Sequence, residues 1–330
     1  MSTRALPWTP SSTQSSATRR RRWRQTGIAY LYLAPAIVLL LLFQYFPAVY
    51  AFWISLHRWG LIKEAFVGLE NYQRLLVNED FWKSLGVTVW FVVLAIPAEL
   101  VLGLIIAYLL FQPIRGRSVY RTGFFLPYVT STVAAALVWR WIYNPNNGLL
   151  NSILFSLGRP KALWIDESSG VFKVLLGPAG AGLPDWLAGP SVALVCVAVM
   201  SVWQYIGFNV VIYLAGLGGI SRELYEAARI DGASEWQVFR RITLPLLSPT
   251  TFFLATVSTI GALQAFNTIY VMTNGGPLDT TRTVLLLVFK TFYQQTRVGY
   301  GSAIAFVLTF MILGLTLLNL RYVGSRVHYD

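Results

Sequence analysis

Residues 220–250 read ISRELYEAARIDGASEWQVFRRITLPLLSPT and link two apolar runs, at 191–216 and 249–271, each long enough to cross a bilayer. The link is too long for a turn and too patterned for a linker; it reads as two short helices with a break. Ser221 is placed to cap the first, with Glu223 and Glu226 near its positive end. Leu224 and Tyr225 stand four and three positions before Ala228, an apolar strip at helical spacing. Asp231-Gly232 interrupts the pattern, because glycine takes a positive φ with no Cβ to clash and lets the chain turn sharply. Ser234 restarts the helix, Gln237 three residues on completes a capping box, and Trp236, Phe239 and Ile242 supply a second apolar strip. Leu244-Pro245 closes the element and leads into the next run. A charged helix pair of this kind either lies on the membrane surface or docks into a groove of another protein.

Outward from this link the chain is apolar almost throughout. It has 330 residues, 55% hydrophobic and only 12% charged, and a mean hydropathy of +0.56; a soluble domain carries roughly twice that share of charge. Spanning about 30 Å of hydrocarbon takes roughly 20 apolar residues. On that ruler six helices are expected, at about 28–50, 86–111, 123–143, 191–216, 249–271 and 301–320, making an all-α integral membrane protein. Trp and Tyr recur near the ends of these runs, as interfacial anchors do. Pro35, Pro47, Pro97, Pro127, Pro245 and Pro249 fall in or beside them and mark either bending points or helix ends.

The membrane domain is expected to cover 28–320, flanked by a basic, disordered cytoplasmic tail over 1–27 and a short cytoplasmic tail over 321–330. Arg19, Arg20, Arg21, Arg22 and Arg24, interleaved with Trp23, precede the first run, which is too long for a cleaved signal peptide. They would hold the N-terminus inside and touch anionic lipid. The net charge of +12 therefore points to topology rather than to nucleic acid. Arg115, Arg117 and Arg121, then Arg222, Arg229, Arg240 and Arg241, then Arg321 and Arg326 fall on the same side as the tail, while two of the three opposite loops mix signs; both termini are expected in the cytoplasm. Cys196 is the single cysteine, which excludes an intrachain disulfide and a thiolate metal cluster.

The stretch EAARIDGASEWQVFRRITLPLLSP resembles the cytoplasmic EAA signature of ABC importer permeases, in the carbohydrate-uptake, maltose-type, binding-protein-dependent branch. Glu226, Ala227, Ala228, Asp231, Gly232, Ala233, Phe239, Ile242, Leu244, Pro245 and Pro249 fall where that branch would place them. FVGLENY (66–72), NPNNGLLN (144–151) and TNGGP (273–277) are similar to external-loop features of the same permeases, so the resemblance covers nearly everything after the tail. It implies a six-span type I importer permease whose residues 221–245 fit a cleft on a cytoplasmic ATPase. In that setting Gly232 would make the turn and Glu226 a polar contact, Ala227 and Ala228 would permit close approach, and Phe239 and Ile242 would act as apolar anchors. The partners implied are a second, similar permease or a second copy of the chain, two ATPase subunits holding ATP and Mg, and an extracellular or periplasmic solute-binding protein. This chain itself would hold no cofactor or metal.

Polar residues inside spans face a cavity or a partner helix. Gln204, Tyr205 and Asn209 in the fourth run, and Gln264 and Asn267 three positions apart in the fifth, would read sugar hydroxyls, with Trp203 and Tyr270 as stacking platforms; hydrogen bonding between helices is the alternative. Glu99 and Arg140 are further candidates, or else a structural ion pair and a snorkelling arginine. None of the lysines follows a glycine, so there is no GxxxxGK[ST] phosphate loop, and energy must come from another subunit or from an ion gradient. His57 lies at an outer boundary and His328 in the tail, which leaves no Ser/His or metal pair for an intramembrane enzyme. The runner-up is a gradient-driven secondary carrier, against which the lack of an internal repeat counts. A sugar or sugar derivative is the expected cargo, and a glycerol-phosphate-type anion the alternative.

Overall fold

The computed structural model describes residues 16–322 apart from 61, 181, 185 and 186. The expectations for 1–15 and 323–330 lie outside the described residues. Four helices are long and apolar enough to cross a membrane, and two bent pairs raise the number to six. The chain divides at 54/55 into two units.

In the first unit, helix starts at Ser16, inside the stretch read as a tail, and the apolar span runs over Gln25–Ser55. Arginine and glutamine are good helix formers, so nothing stops the helix from extending into the basic segment. Pro35 lies inside the helix and a π-helical stretch follows at Leu41–Tyr45.

In the second unit, span two is a single helix, Glu79–Phe111, whose Asn78 caps it by accepting from the Phe81 amide at 3.2 Å. Span four, Val192–Gly219, is the hub: Ser191 caps it, and buried residues follow one another from Ala193 to Leu217. Its near approach to its neighbours depends on glycine. A Cβ on Gly207 would overlap the Phe124 carbonyl oxygen, and one on Gly103 of span two would sit 2.9 Å from the Asn209 Cβ. Apolar clusters fill the space between these helices, one of them joining Ala107 and Leu110 of span two to Val210, Tyr213 and Leu217 of span four and to Leu254 of span five.

Two expected helices are broken. The run at 123–143 is split into Arg117–Val129 and Thr132–Ile142, bent by 96°. Pro127 deprives the last turn of an amide donor, and side chains brace the bend: the Thr130 hydroxyl donates to the Pro127 carbonyl at 2.6 Å, and Gln204 Nε2 donates to the Thr130 carbonyl at 3.4 Å. The run at 249–271 is divided into Ser248–Leu263 and Asn267–Met272, with non-helical backbone between them. Pro97, by contrast, sits inside an uninterrupted helix. Span six, Val298–Tyr322, closes the set.

Two of the loop motifs, at 66–72 and 144–151, turn out to be scaffolding. A two-stranded hairpin pairs His57–Trp59 with Lys63–Phe66, and Asn71 ties it down by donating to the Ser55 and His57 carbonyls at 2.8 and 3.0 Å. Asn151, 1% exposed, donates to the Pro145 and Ala162 carbonyls and accepts from the Ala162 amide and the Trp164 indole, all within 2.8–3.1 Å. Asn151→Ala strands several of these buried groups at about 1–3 kcal/mol each; a clear fall in the detergent melting midpoint is expected, and an unchanged midpoint would contradict the scaffold role. Arg282, between spans five and six, is paired with Asp80 at 2.7 Å and Asp279 at 2.9 Å.

Candidate functional site

Two places bring the expected residues together: a cavity inside the bundle and the link between spans four and five.

The cavity, of about 280 Å³, is walled by spans two, three, four and five. Tyr205 and Asn209 line it from span four, Gln264 and Asn267 from the broken part of span five, and Glu99 from span two. Gln264 and Asn267 do not share a helix face as expected, because the helix ends at Leu263; the break itself presents both to the same space. Gln204 is absent from the wall. It is 1% exposed and donates to the Thr132 hydroxyl at 3.0 Å as well as to the Thr130 carbonyl, so it holds the bend of span three. On a 3.6-residue helix an adjacent position points about 100° away, which separates Gln204 from Tyr205.

The aromatic surfaces of the cavity are also not the ones expected. Trp203 packs on Trp139 with ring centroids 5.6 Å apart, and Tyr270 on Phe266 at 5.2 Å; neither Trp203 nor Tyr270 lines the space. Tyr128 does, in contact with Tyr205 at 6.2 Å and stacked on Phe208 at 5.2 Å. Sequence reading missed Tyr128, Phe208 and Phe266, since an aromatic residue in a span carries no mark of which way it faces. Asn209 is fully buried and its amide makes no well-formed hydrogen bond with the chain. Arg140 is exposed and donates to the Val271 carbonyl at 3.5 Å, away from the cavity, and among the described residues it forms no ion pair with Glu99.

The link between spans four and five forms as its local signals dictate. Ser221 accepts from the Glu223 amide at 3.2 Å and starts Arg222–Ile230. The helix ends in a paired closure: the Gly232 amide reaches the Arg229 carbonyl at 3.1 Å and the Ala233 amide the Ala228 carbonyl at 3.0 Å, with Asp231 at the cap and Gly232 at φ +76°. Ser234 and Gln237 then form the reciprocal capping box, at 3.3 and 2.8 Å, that opens Glu235–Val238. That helix runs on through a π-turn, Phe239–Thr243, and Leu244–Leu246, which holds Pro245, before bending 61° into Ser248–Leu263. The second half of the link is thus one piece with span five apart from a single bend.

Its side chains divide into two sets. Phe239 and Ile242 are half-buried, and Phe239 packs inward on Tyr108 of span two at 4.9 Å. Val238 and Thr243 are buried, and Tyr225 reaches the Thr243 hydroxyl at 3.3 Å, joining the two short helices. Facing solvent are Glu226, Ala227 and Asp231, together with Leu224, Ile230 and Trp236; Ile230 is 86% exposed and Trp236 65%. Ile230 was not singled out by its spacing, because it falls in the last turn, beside the break. Ala228 and Ala233 are half-buried under this face.

Comparison with known proteins bears on the whole chain. Residues 99–326 match the family model described as the binding-protein-dependent transport system inner membrane component. The chain is 35% identical over 309 residues to the trehalose/maltose transport system permease protein of Thermococcus litoralis, covering 93% of this chain and 97% of that protein. It is 33% identical over 306 residues to the sn-glycerol-3-phosphate transport system permease protein of Agrobacterium fabrum, covering 92% and 96%. A bacterial ABC transporter involved in the import of the acidic polysaccharide alginate has the same fold, with a TM-score of 0.76 at 20% identity over 93% of this chain and 99% of that one. These matches, on top of a broken-helix bundle with a patterned helical link, place the chain in the binding-protein-dependent transport system inner membrane component family, as a multi-pass permease subunit of an ABC importer.

Proposed function

We propose that the chain carries a sugar or sugar derivative through the cavity between spans two and five, and that residues 221–245 transmit the work of two cytoplasmic ATPase subunits into those spans. The observation that supports this most is the cavity itself. Inside an apolar bundle, Asn209, Gln264, Asn267 and Tyr205 converge on one space beside stacked aromatic rings, which is the equipment for binding a solute with many hydroxyls. Its volume lies near the lower end of the range for small-molecule sites, about 300–1,000 Å³, and suits one or two sugar rings. Relatives named for trehalose and maltose, for arabinooligosaccharides and for sn-glycerol 3-phosphate bracket the cargo.

In this reading Leu224, Ala227, Ile230 and Trp236 enter a groove on the ATPase, with Glu226 and Asp231 at its rim. Contact of Phe239 with Tyr108 and the continuous path into span five carry a displacement of the link to both cavity walls. Both termini lie in the cytoplasm, a second, similar permease completes the pore, and a solute-binding protein docks on the outer loops around 58–85, 144–189 and 272–300. Driving such a machine from 1:99 to 99:1 between inward- and outward-open states takes roughly 5.5 kcal/mol of differential binding, within reach of ATP together with a loaded binding protein.

The test is uptake by vesicles holding the assembled importer. Transport should require ATP and the binding protein and stop with vanadate; uptake sustained by an ion gradient alone would favour the secondary carrier instead. In the same assay Asn267→Ala removes one side-chain amide from the wall, and the apparent KM should rise roughly tenfold, the value of one good polar contact. An unchanged KM for both Asn267→Ala and Asn209→Ala would take the solute out of this cavity.

A further inference from the structure

We infer that a basic pocket at the far end of span two from the 221–245 link receives an acidic side chain of the solute-binding protein, with Arg297 as its anchor; this rests on the reading that the link meets the ATPases and that a binding protein docks on the opposite face. The pocket, of about 350 Å³, is walled by Arg58 and Glu64 of the hairpin, by Arg74 of the short helix Glu70–Leu76, and by Arg297 just before span six. Asn78, the cap of span two, also lines it, while Tyr108, near the other end of that helix, touches the link through Phe239. At a rise of 1.5 Å per residue the two points stand about 45 Å apart, the depth of a bilayer with its headgroups. A pocket so placed is out of reach of anything bound to the link.

Close approaches build it. A Cβ on Gly299 would overlap the His57 carbonyl oxygen, so the hairpin lies directly against span six and Arg58 shares a wall with Arg297. Asn71 fixes the short helix to the hairpin backbone. The charges do not balance. Glu70 is shared by Arg58, at 3.2 Å, and by Arg74, so that one carboxylate serves two guanidiniums. Arg297 is exposed and forms no ion pair among the described residues. With Glu64 the sole further acid on the wall, the surplus is positive. A guanidinium offers a carboxylate two parallel N–H donors, which suits an aspartate or glutamate. A free anion would gain little here, because exposed pairs are screened by water and salt; a protein lobe covers the pocket and excludes that water. Charges at the rim of such a contact act mainly on the rate of encounter.

The experiment is association of the importer's own solute-binding protein, purified and loaded with solute, with the complete importer in lipid nanodiscs, followed by biolayer interferometry at about 20 and about 200 mM salt. For the wild type the association rate constant should fall roughly tenfold over that range. Arg297→Glu should lower it roughly tenfold at the lower salt and flatten its salt dependence, with the dissociation rate within about threefold of wild type. Arg297→Lys keeps the charge and should stay within about threefold in both rates. The melting midpoints of both variants should match wild type, since the side chain is exposed and unpaired. Equal association of wild type and Arg297→Glu at the lower salt, an equal loss in Arg297→Lys, or a loss that tracks a lowered melting midpoint overturns the pocket as the acceptor and leaves the docking reading standing. If the binding protein associates with the wild-type importer at neither salt, the docking reading fails and the pocket falls with it.

Discussion

Gly232→Val is expected to end transport while leaving the protein in the membrane in normal amount. Gly232 lies at φ +76°, yet a Cβ there would meet nothing within 4 Å, so the penalty is purely conformational. A left-handed residue costs about 1–2 kcal/mol for an ordinary L-amino acid and more for a β-branched one. The helix closure on Arg229 and Ala228 depends on that angle. If the turn opens, Ile230 and Trp236 no longer present one face, and the proposed ATPase contact is lost with them. The spans are untouched, because none of their packing involves Gly232. ATP hydrolysis should then proceed without the stimulation that a loaded binding protein gives. The graded series is the sharper measurement: Gly232→Asn should keep much of the uptake, since asparagine tolerates this region, Gly232→Ala less and Gly232→Val none. A variant series that ignores this order, or wild-type uptake by the valine variant, would show that the turn is not the coupling point.

Gly207→Ala is expected to be among the most damaging single-methyl additions in the bundle. The added carbon would overlap the Phe124 carbonyl oxygen and lie 2.8 Å from both the Phe124 carbonyl carbon and the Phe125 Cα. These are backbone atoms, which cannot rotate aside as a side chain would, so the two helices must separate. Overpacking typically costs about 1–3 kcal/mol, and with a rigid neighbour the upper end applies. Span four is buried along its length, so separation there also loosens the cavity wall that Tyr128 and Tyr205 share. Detergent melting and the folded fraction in membranes report the effect. Gly314→Ala in span six is the control: nothing lies within 4 Å of its Cβ position, and exchanging glycine for alanine inside a helix gains up to about 1 kcal/mol. Equal stability of the two variants would mean that the approach of spans three and four is looser than 2.8 Å implies.

Each effect traces to one glycine, and the two were not equally readable in advance. Gly232 follows an aspartate at the end of an amphipathic turn and precedes a Ser-x-x-Gln box, so its neighbours announce it. Gly207 sits among apolar residues that say nothing of Phe124, some eighty positions away. The same contrast runs through the site. Ser221, Ser234 and Gln237 form the caps their spacing predicts. Gln204, chosen by residue type, faces a helix bend instead of the cavity, and Phe239, chosen by spacing and resemblance, packs on Tyr108 of span two.

Taken alone, the order of residues determined that this chain lies in a bilayer, roughly where it crosses, and that the link between its fourth and fifth spans is two capped helices on a glycine turn. Hydropathy summed over twenty residues and φ preferences within four are local quantities, so they survive without knowledge of the fold. The 96° break at Thr130, the placing of Glu99 and Asn209 on one wall, and the exposure of Ile230 and Trp236 were decided only when the helices packed. Which way a side chain faces inside a bundle depends on its neighbours' surfaces, and those come from distant parts of the chain.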